Sequence, residues 1–133
     1  MCVVVDGAYG PLCCGLLAGE MNKVTTVPKD ELRSGDPKFQ RPKFEHYLAA
    51  VEDLKKIAEK HGKNILALAI RWVLDQGPTV ALWGARKPAQ IDGIAEAFGW
   101  SLSAEDKREI DAILNRHVPD PIEPDFMAPP QRD

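Results

Sequence analysis

Two short apolar runs, Cys2–Val5 and Thr79–Trp83, constrain this chain most, because both read as strands buried on two faces. Each is followed by helical periodicity, which is the repeating unit of a parallel α/β fold. Two such strands cannot complete a parallel sheet, whose apolar strands need cover on both faces. The pattern therefore predicts part of a β/α barrel, with about two parallel strands and four helices present. Strand edges left open in this way invite pairing, with a second copy of the chain or with an N-terminal half-barrel.

Between and beyond the strands the order is long loop, two helices, strand, two helices, tail. The first strand is expected to end at Asp6-Gly7-Ala8-Tyr9-Gly10-Pro11, and glycines at 7, 10, 15 and 19 punctuate the apolar segment that follows. From Asn22 to Pro42 the text is polar and carries the turn former Ser34-Gly35-Asp36-Pro37, which predicts a surface loop. Loops of this length are usually functional or mobile. Tyr47, Leu48, Val51, Leu54, Ile57 and Ala58 fall at three- and four-residue spacing and predict an amphipathic helix that Gly62 stops. Asn64 can cap a second helix over Ile65–Leu74, apolar nearly all round and therefore deeply buried. A third is expected to begin at Pro88 and run towards Phe98 and Gly99. Ser103-Ala104-Glu105-Asp106 resembles a capping box that opens a fourth, burying Ile110, Ile113 and Leu114. Residues 1–117 thus form the barrel portion. Prolines at 119, 121, 124, 129 and 130 make 118–133 an extended tail.

Composition excludes several classes. Apolar content of 44% and charged content of 28% belong to a globular chain, and a net charge of -3 gives no case for nucleic acid or an anionic membrane. No apolar stretch is long enough to span a bilayer. Met1–Val5 is apolar, but Asp6 follows at once without a charged leading region, so no signal peptide is expected. Three cysteines, two of them adjacent at Cys13 and Cys14, make neither a disulfide framework nor a metal-ligand spacing. They read as small buried hydrophobes in a reducing, cytoplasmic setting, and no metal site is expected.

The stretch Val80–Gln90 runs from strand through Gly84 and the Arg86-Lys87 pair to Pro88 at a first helical position. The unpartnered amides of a helix start, its dipole and a forked arginine would suit an anion such as phosphate. The same residues also suit an ordinary strand–loop–helix corner with a solvated basic pair.

Three segments in order, Tyr9–Gly19, Ala69–Gly77 and Leu82–Gln90, resemble the C-terminal part of an aldo-keto reductase. The chain is most similar to the bacterial branch typified by general-stress and sugar-aldehyde reductases, from about Val3 to Leu114. The resemblance implies a TIM barrel of which these are strands seven and eight, NADP(H) as cofactor, and reduction of aldehydes or ketones. It implies that Tyr9 stacks on the nicotinamide ring and that Pro11, Leu12 and Gly15 lie over the pyrophosphate. It places Gly84, Ala85, Arg86 and Gln90 around the adenosine 2′-phosphate, with Arg86 discriminating NADP from NAD. Phosphate binding after strands seven and eight is also a general property of such barrels.

Departures accompany the match. Cys14 stands where this branch commonly has arginine, and Glu20 where it commonly has a basic residue. Gly93-Ile94 replaces an acidic residue and an asparagine that contact adenine, so weaker NADPH binding is expected. The family's catalytic aspartate, tyrosine, lysine and histidine lie on the first four strands, which this chain does not contain, so no catalytic residue is assigned and the chain alone is expected to be inactive. Tyr47, His46, His61 and His117 read as structural or solvated. Arg33 and Asp36 could line a substrate mouth, and Phe39–Phe44 with Phe126 and Met127 are the remaining substrate-side candidates. Met1 directly before an unprotected core strand fits a truncated reductase slightly better than the alternative, a stand-alone half-barrel that binds a partner or itself.

Overall fold

Gly7–Tyr9 (β1) pairs in parallel with Val80–Leu82 (β2), in the register Gly7 to Val80, Ala8 to Ala81 and Tyr9 to Leu82. The computed structural model describes residues 7–77, 80–82, 84–85 and 87–122. Cys2–Val5, Trp83, Arg86, Phe126 and Met127 lie outside the described residues, and for Tyr9 only the backbone is described. The first strand reaches past the turn expected at Asp6-Gly7, and the Gly10 N–H extends the ladder by donating to the Leu82 carbonyl at 3.2 Å. Ladder bonds from a neighbouring strand outweigh the turn-like composition of this segment.

A parallel pair needs a long crossover, and two helices sit in it. Lys43–Lys60 (α1) buries Phe44, Leu48, Val51, Leu54, Ile57 and Ala58 on one stripe. It closes at Gly62, whose left-handed φ of 63° lets the Lys63 N–H turn back to the Ala58 carbonyl at 2.9 Å. Ile65–Asp75 (α2) starts where the Asn64 side chain accepts the Ala67 N–H at 2.8 Å. Its first turns are buried, whereas Arg71–Asp75 is half-buried, so the deep burial expected throughout holds only for the first half. The helix is apolar all round because it divides two cores: Leu68 and Trp72 face one, Ala67, Ile70 and Leu74 the other.

Among the described residues no α-helix forms between β2 and residue 104. The segment expected to be helical from Pro88 forms two separate 3-10 turns, Pro88–Gln90 and Ile94–Ala97. Gly93 between them takes a φ of 81°, which breaks helical propagation. The last helix, Ala104–His117 (α3), opens on the expected capping box: Ser103 Oγ accepts the Asp106 N–H at 3.0 Å, and Asp106 Oδ2 accepts the Ser103 N–H at 2.9 Å. Its buried stripe is Asp106, Ile110 and Ile113, and Leu114 is 36% exposed rather than buried. Spaced four and three apart, these residues share a helix face, and Leu114 lies on the flank of that face.

The main core gathers Val51, Leu54, Ile57, Leu68, Ile110 and Ile113 from all three helices. A satellite core of Leu16, Phe39, Phe44 and Leu48 fastens the long loop, which is therefore anchored rather than purely superficial. Beyond α3, Val118 packs on the main core, Asp120 pairs with Lys43 at 3.1 Å and the Ile122 N–H donates to the Tyr47 hydroxyl at 3.2 Å. Among the described residues no helix is long and apolar enough to cross a membrane.

Candidate functional site

Parallel strands send both of their following loops out at the same end. Gly10–Gly19 leaves β1 there and Gly84–Gln90 leaves β2, and the Gly10–Leu82 hydrogen bond ties the two exits together. The described candidate cofactor residues, Tyr9, Pro11, Leu12, Gly15, Gly84, Ala85 and Gln90, lie at this end.

The first loop holds an uncommon backbone. Gly10, Cys13, Cys14, Gly15 and Gly19 have φ of 72°, 49°, 56°, 96° and 81°. The Cys13 N–H bonds to the Gly10 carbonyl at 3.1 Å, and the Gly15 and Leu17 N–H groups share the Leu12 carbonyl at 3.0 and 3.1 Å. Pro11 is buried and Leu12 packs half-buried against the α2 side of the molecule, so their side chains support the loop from beneath. A contact of these two residues with a ligand would be made by backbone. Cys13 and Cys14 are free and exposed, contrary to the expectation of small buried hydrophobes. The left-handed turn points them away from the core, while Leu16, at 2% exposure, takes the inward place. Protein packed around its inner side pushes the Cys13 thiol up, and the Lys38 ammonium works against that rise.

At the second loop Gly84, Ala85, Lys87, Pro88, Ala89 and Gln90 are exposed. Pro88 occupies the first position of its turn, as expected. The Gln90 side-chain carbonyl accepts the Lys87 N–H at 3.1 Å, closing the turn on itself. A three-residue turn sums too few peptide dipoles to act as a helix terminus. The helix-dipole part of the anion argument therefore falls away, leaving side-chain charge and open backbone. Gly10 and Gly84 pass the test for a bulky anion, since a Cβ built on either meets nothing within 4 Å. Backbone on both loops is thus open to close approach, which the diphosphate and ribose of a dinucleotide require.

Departures at the far side of this corner have structural causes. A Cβ at Gly93 would stand 2.7 Å from Asn64 Nδ2, the side chain that caps α2, so glycine relieves a clash there. Ile94 packs half-buried against Ala67, Ile70 and Ala97 and faces the core rather than a ligand. Glu20 is exposed.

Sequence reasoning did not place cations from the long loop beside the first loop. A Cβ at Gly15 would lie 3.9 Å from an Arg33 guanidinium nitrogen. Arg33 stacks over Phe39 at 5.8 Å and is paired with Glu31, so its charge is locally balanced. Lys38 pairs with buried Asp36 at 2.8 Å. Partial burial works to lower the Lys38 ammonium, but its hydrogen bond with Asp36 and the charge of that carboxylate together raise it. No spacing signal links residues this far apart in sequence.

The other candidates are structural in their contacts. Phe39 and Phe44 stack at 5.7 Å inside the satellite core and are 8% and 2% exposed, so they line no open mouth. His61 bonds Asp106 at 3.0 Å and stacks on Trp100 at 5.0 Å, and His117 bonds Asp53 at 2.7 Å. His46 is exposed. Among the described residues no group of three His, Cys, Asp or Glu could hold a metal ion.

Comparison with known proteins agrees with this geometry. The sequence profile of the Aldo/keto reductase family matches residues 3–115. The aldo-keto reductase YhdN of Bacillus subtilis is 50% identical over 127 residues, which are 94% of this chain and 38% of that protein. The aldo-keto reductase str7 of Strobilurus tenacellus is 32% identical over 100 residues, covering 74% of this chain and 30% of that protein. Among solved structures, the glycerol dehydrogenase AKR11B4 of Gluconobacter oxydans matches with a TM-score of 0.82 and 64% identity, over 91% of this chain and 37% of that one. The chain thus spans less than two fifths of the length of these relatives. Two parallel strands with their helices, matched to a TIM-barrel reductase, are the C-terminal part of such a barrel, and the chain belongs to the aldo/keto reductase family.

Proposed function

We propose that this chain is the NADP(H)-binding C-terminal portion of a reductase that converts aldehydes or ketones to alcohols. The observation that carries the reading is the emergence of the two motif-bearing loops from the same end of adjacent parallel strands, tied by the Gly10–Leu82 hydrogen bond. When bound, the nicotinamide cofactor supplies the hydride for carbonyl reduction. Tyr9 offers a flat face to its ring. Backbone of the Pro11–Gly15 loop lies over the pyrophosphate. Gly84, Ala85, Arg86 and Gln90 hold the 2′-phosphate, with Arg86 providing the paired, charge-assisted hydrogen bonds that a desolvated phosphate needs. Gln90 brings a side-chain amide whose carbonyl accepts the Lys87 N–H. General acid chemistry belongs to an N-terminal half of the barrel, and the chain alone is inactive. A cytoplasmic setting suits two free, exposed thiols.

Cofactor binding is weaker than in relatives with arginine at position 14 and a basic residue at 20. Arg33 does not restore the charge, because Glu31 already neutralises it. Calorimetric titration of a barrel completed with a relative's N-terminal half tests both points. Arg86→Ala should weaken NADPH binding about tenfold or more while leaving NADH within a factor of about two. Cys14→Arg with Glu20→Lys should tighten NADPH. Equal losses for both cofactors, or no gain from the double variant, would overturn the assignment.

Exposed strand residues favour a second reading, a half-barrel that pairs with itself or with an N-terminal half. Val80 is 43% and Leu82 57% exposed on a strand whose other members are apolar. Size-exclusion chromatography with light scattering separates the two: a discrete dimer supports pairing, and aggregation or a loosely packed monomer supports the incomplete barrel.

A further inference from the structure

Cys13 and Cys14 are adjacent, free and exposed, in a chain where cysteine would ordinarily be packed away. Their presentation is fixed from both sides. Hydrogen bonds from Cys13 N–H to Gly10 and from Gly15 N–H to Leu12 close the turn, and buried Leu16 anchors it in the satellite core. Adjacent Cα atoms stand about 3.8 Å apart, and each thiol swings on a single χ1, so two sulfurs can converge on one atom in solvent. No third ligand completes a tetrahedral cage, since among the described residues no trio of His, Cys, Asp or Glu is assembled. What the pair offers is two soft sulfur donors, which selects a thiophilic atom over a hard cation.

We infer that Cys13 and Cys14 form a dithiol site that chelates trivalent arsenic in organoarsenical form. The step is a condensation without redox change. Two S–H bonds and the two bonds of the arsenic–oxygen unit break, two arsenic–sulfur bonds form, and both thiol protons leave with the oxygen as one water. Each sulfur attacks as its thiolate, and the proton it gives up is taken by the departing oxygen. The site lies on the loop assigned above to the cofactor pyrophosphate, so its occupation would block that loop; only this consequence rests on the cofactor reading.

Phenylarsine oxide added to the whole 133-residue chain tests the site directly. Intact mass should show one phenylarsenic group, and titratable thiols should fall from three to one. Peptide mapping after N-ethylmaleimide should find Cys13 and Cys14 protected and Cys2 alkylated. Capture should survive excess monothiol and be reversed by a dithiol. Cys13→Ser and Cys14→Ser should each weaken capture on the order of 100-fold, the gain that a second linked contact gives, and Cys2→Ser should leave it unchanged. Loss of a single thiol, protection of Cys2, or full affinity in either single variant overturns the site. Should a serine variant fail to fold by circular dichroism, the protection pattern of the parent chain still decides. NADPH titration of a completed barrel tests the cofactor reading alone, and its failure would leave arsenical capture unchanged.

Discussion

Gly19 shows how a single atom is excluded by packing. It holds a φ of 81°, and a Cβ there would stand 2.6 Å from Ile65 Cγ2, a stiff branched side chain at the start of α2. Gly19→Ala combines backbone strain with a clash and should destabilise the chain by about 2 kcal/mol, read from urea unfolding. Asp53 is set by charge instead. Hydrogen bonds from Lys56 and then His117 hold its carboxyl down to about 2 from an ordinary 3.8. A carboxylate lowered in the folded state contributes stability that is complete above its unfolded value and disappears as pH falls through the folded one. Stability should therefore decline between pH 3.8 and about 2, and Asp53→Asn should flatten that part of the unfolding midpoint against pH. An unchanged acid limb would show that the Lys56 and His117 contacts contribute nothing there.

At the scale of elements, caps were the most legible part of the sequence. Asn64 before Ile65 and Ser103 three residues before Asp106 both read as helix starts, and both side chains accept the expected amide. Capping depends on residues within one turn, so local text suffices. Asp106 does more than its local pattern implies. Its Oδ2 also accepts from Ser103 Oγ at 2.8 Å and meets His61 at 3.0 Å, joining the start of α3 to the end of α1. Ser103→Ala should cost about 1 kcal/mol in thermal or urea unfolding, the usual price of a lost N-cap. The segment after β2 departs from its pattern: Pro88 at a first helical position and apolar residues to Phe98 satisfy a helix, yet the chain forms two 3-10 turns. Gly93 ends that pattern after one turn, and its clash partner, Asn64, is remote in sequence.

The described residues form a helical layer with one strand pair, and that pair is left partly uncovered. Leu82 is 57% exposed, and a strand in a parallel sheet is ordinarily covered on both faces. Leu82→Lys should reduce self-association in light-scattering measurements, because charge on an exposed strand disfavours edge pairing. Association unaffected by this change would move the contact away from β2. The long loop also acts at this scale. Phe39 is buried in the satellite core and Arg33 reaches Gly15, so residues that looked like a free surface segment brace the loop after β1.

Period, caps and motif order are carried by near neighbours, and so the sequence alone determined the helices α1, α2 and α3, the strand β2 and membership of the aldo/keto reductase family, whereas β1 falls on Gly7–Tyr9, which local text reads as a turn. The exposure of Cys13 and Cys14, the inward packing of Leu12 and Ile94, the two 3-10 turns in place of a helix and the approach of Arg33 to Gly15 were decided by tertiary structure. Each depends on what stands opposite in space: Asn64 beneath Gly93, Ile65 against Gly19, and Leu16 rather than a cysteine filling the core. A one-dimensional pattern records which residues are apolar, and only the folded chain fixes which of them find a partner to be buried against.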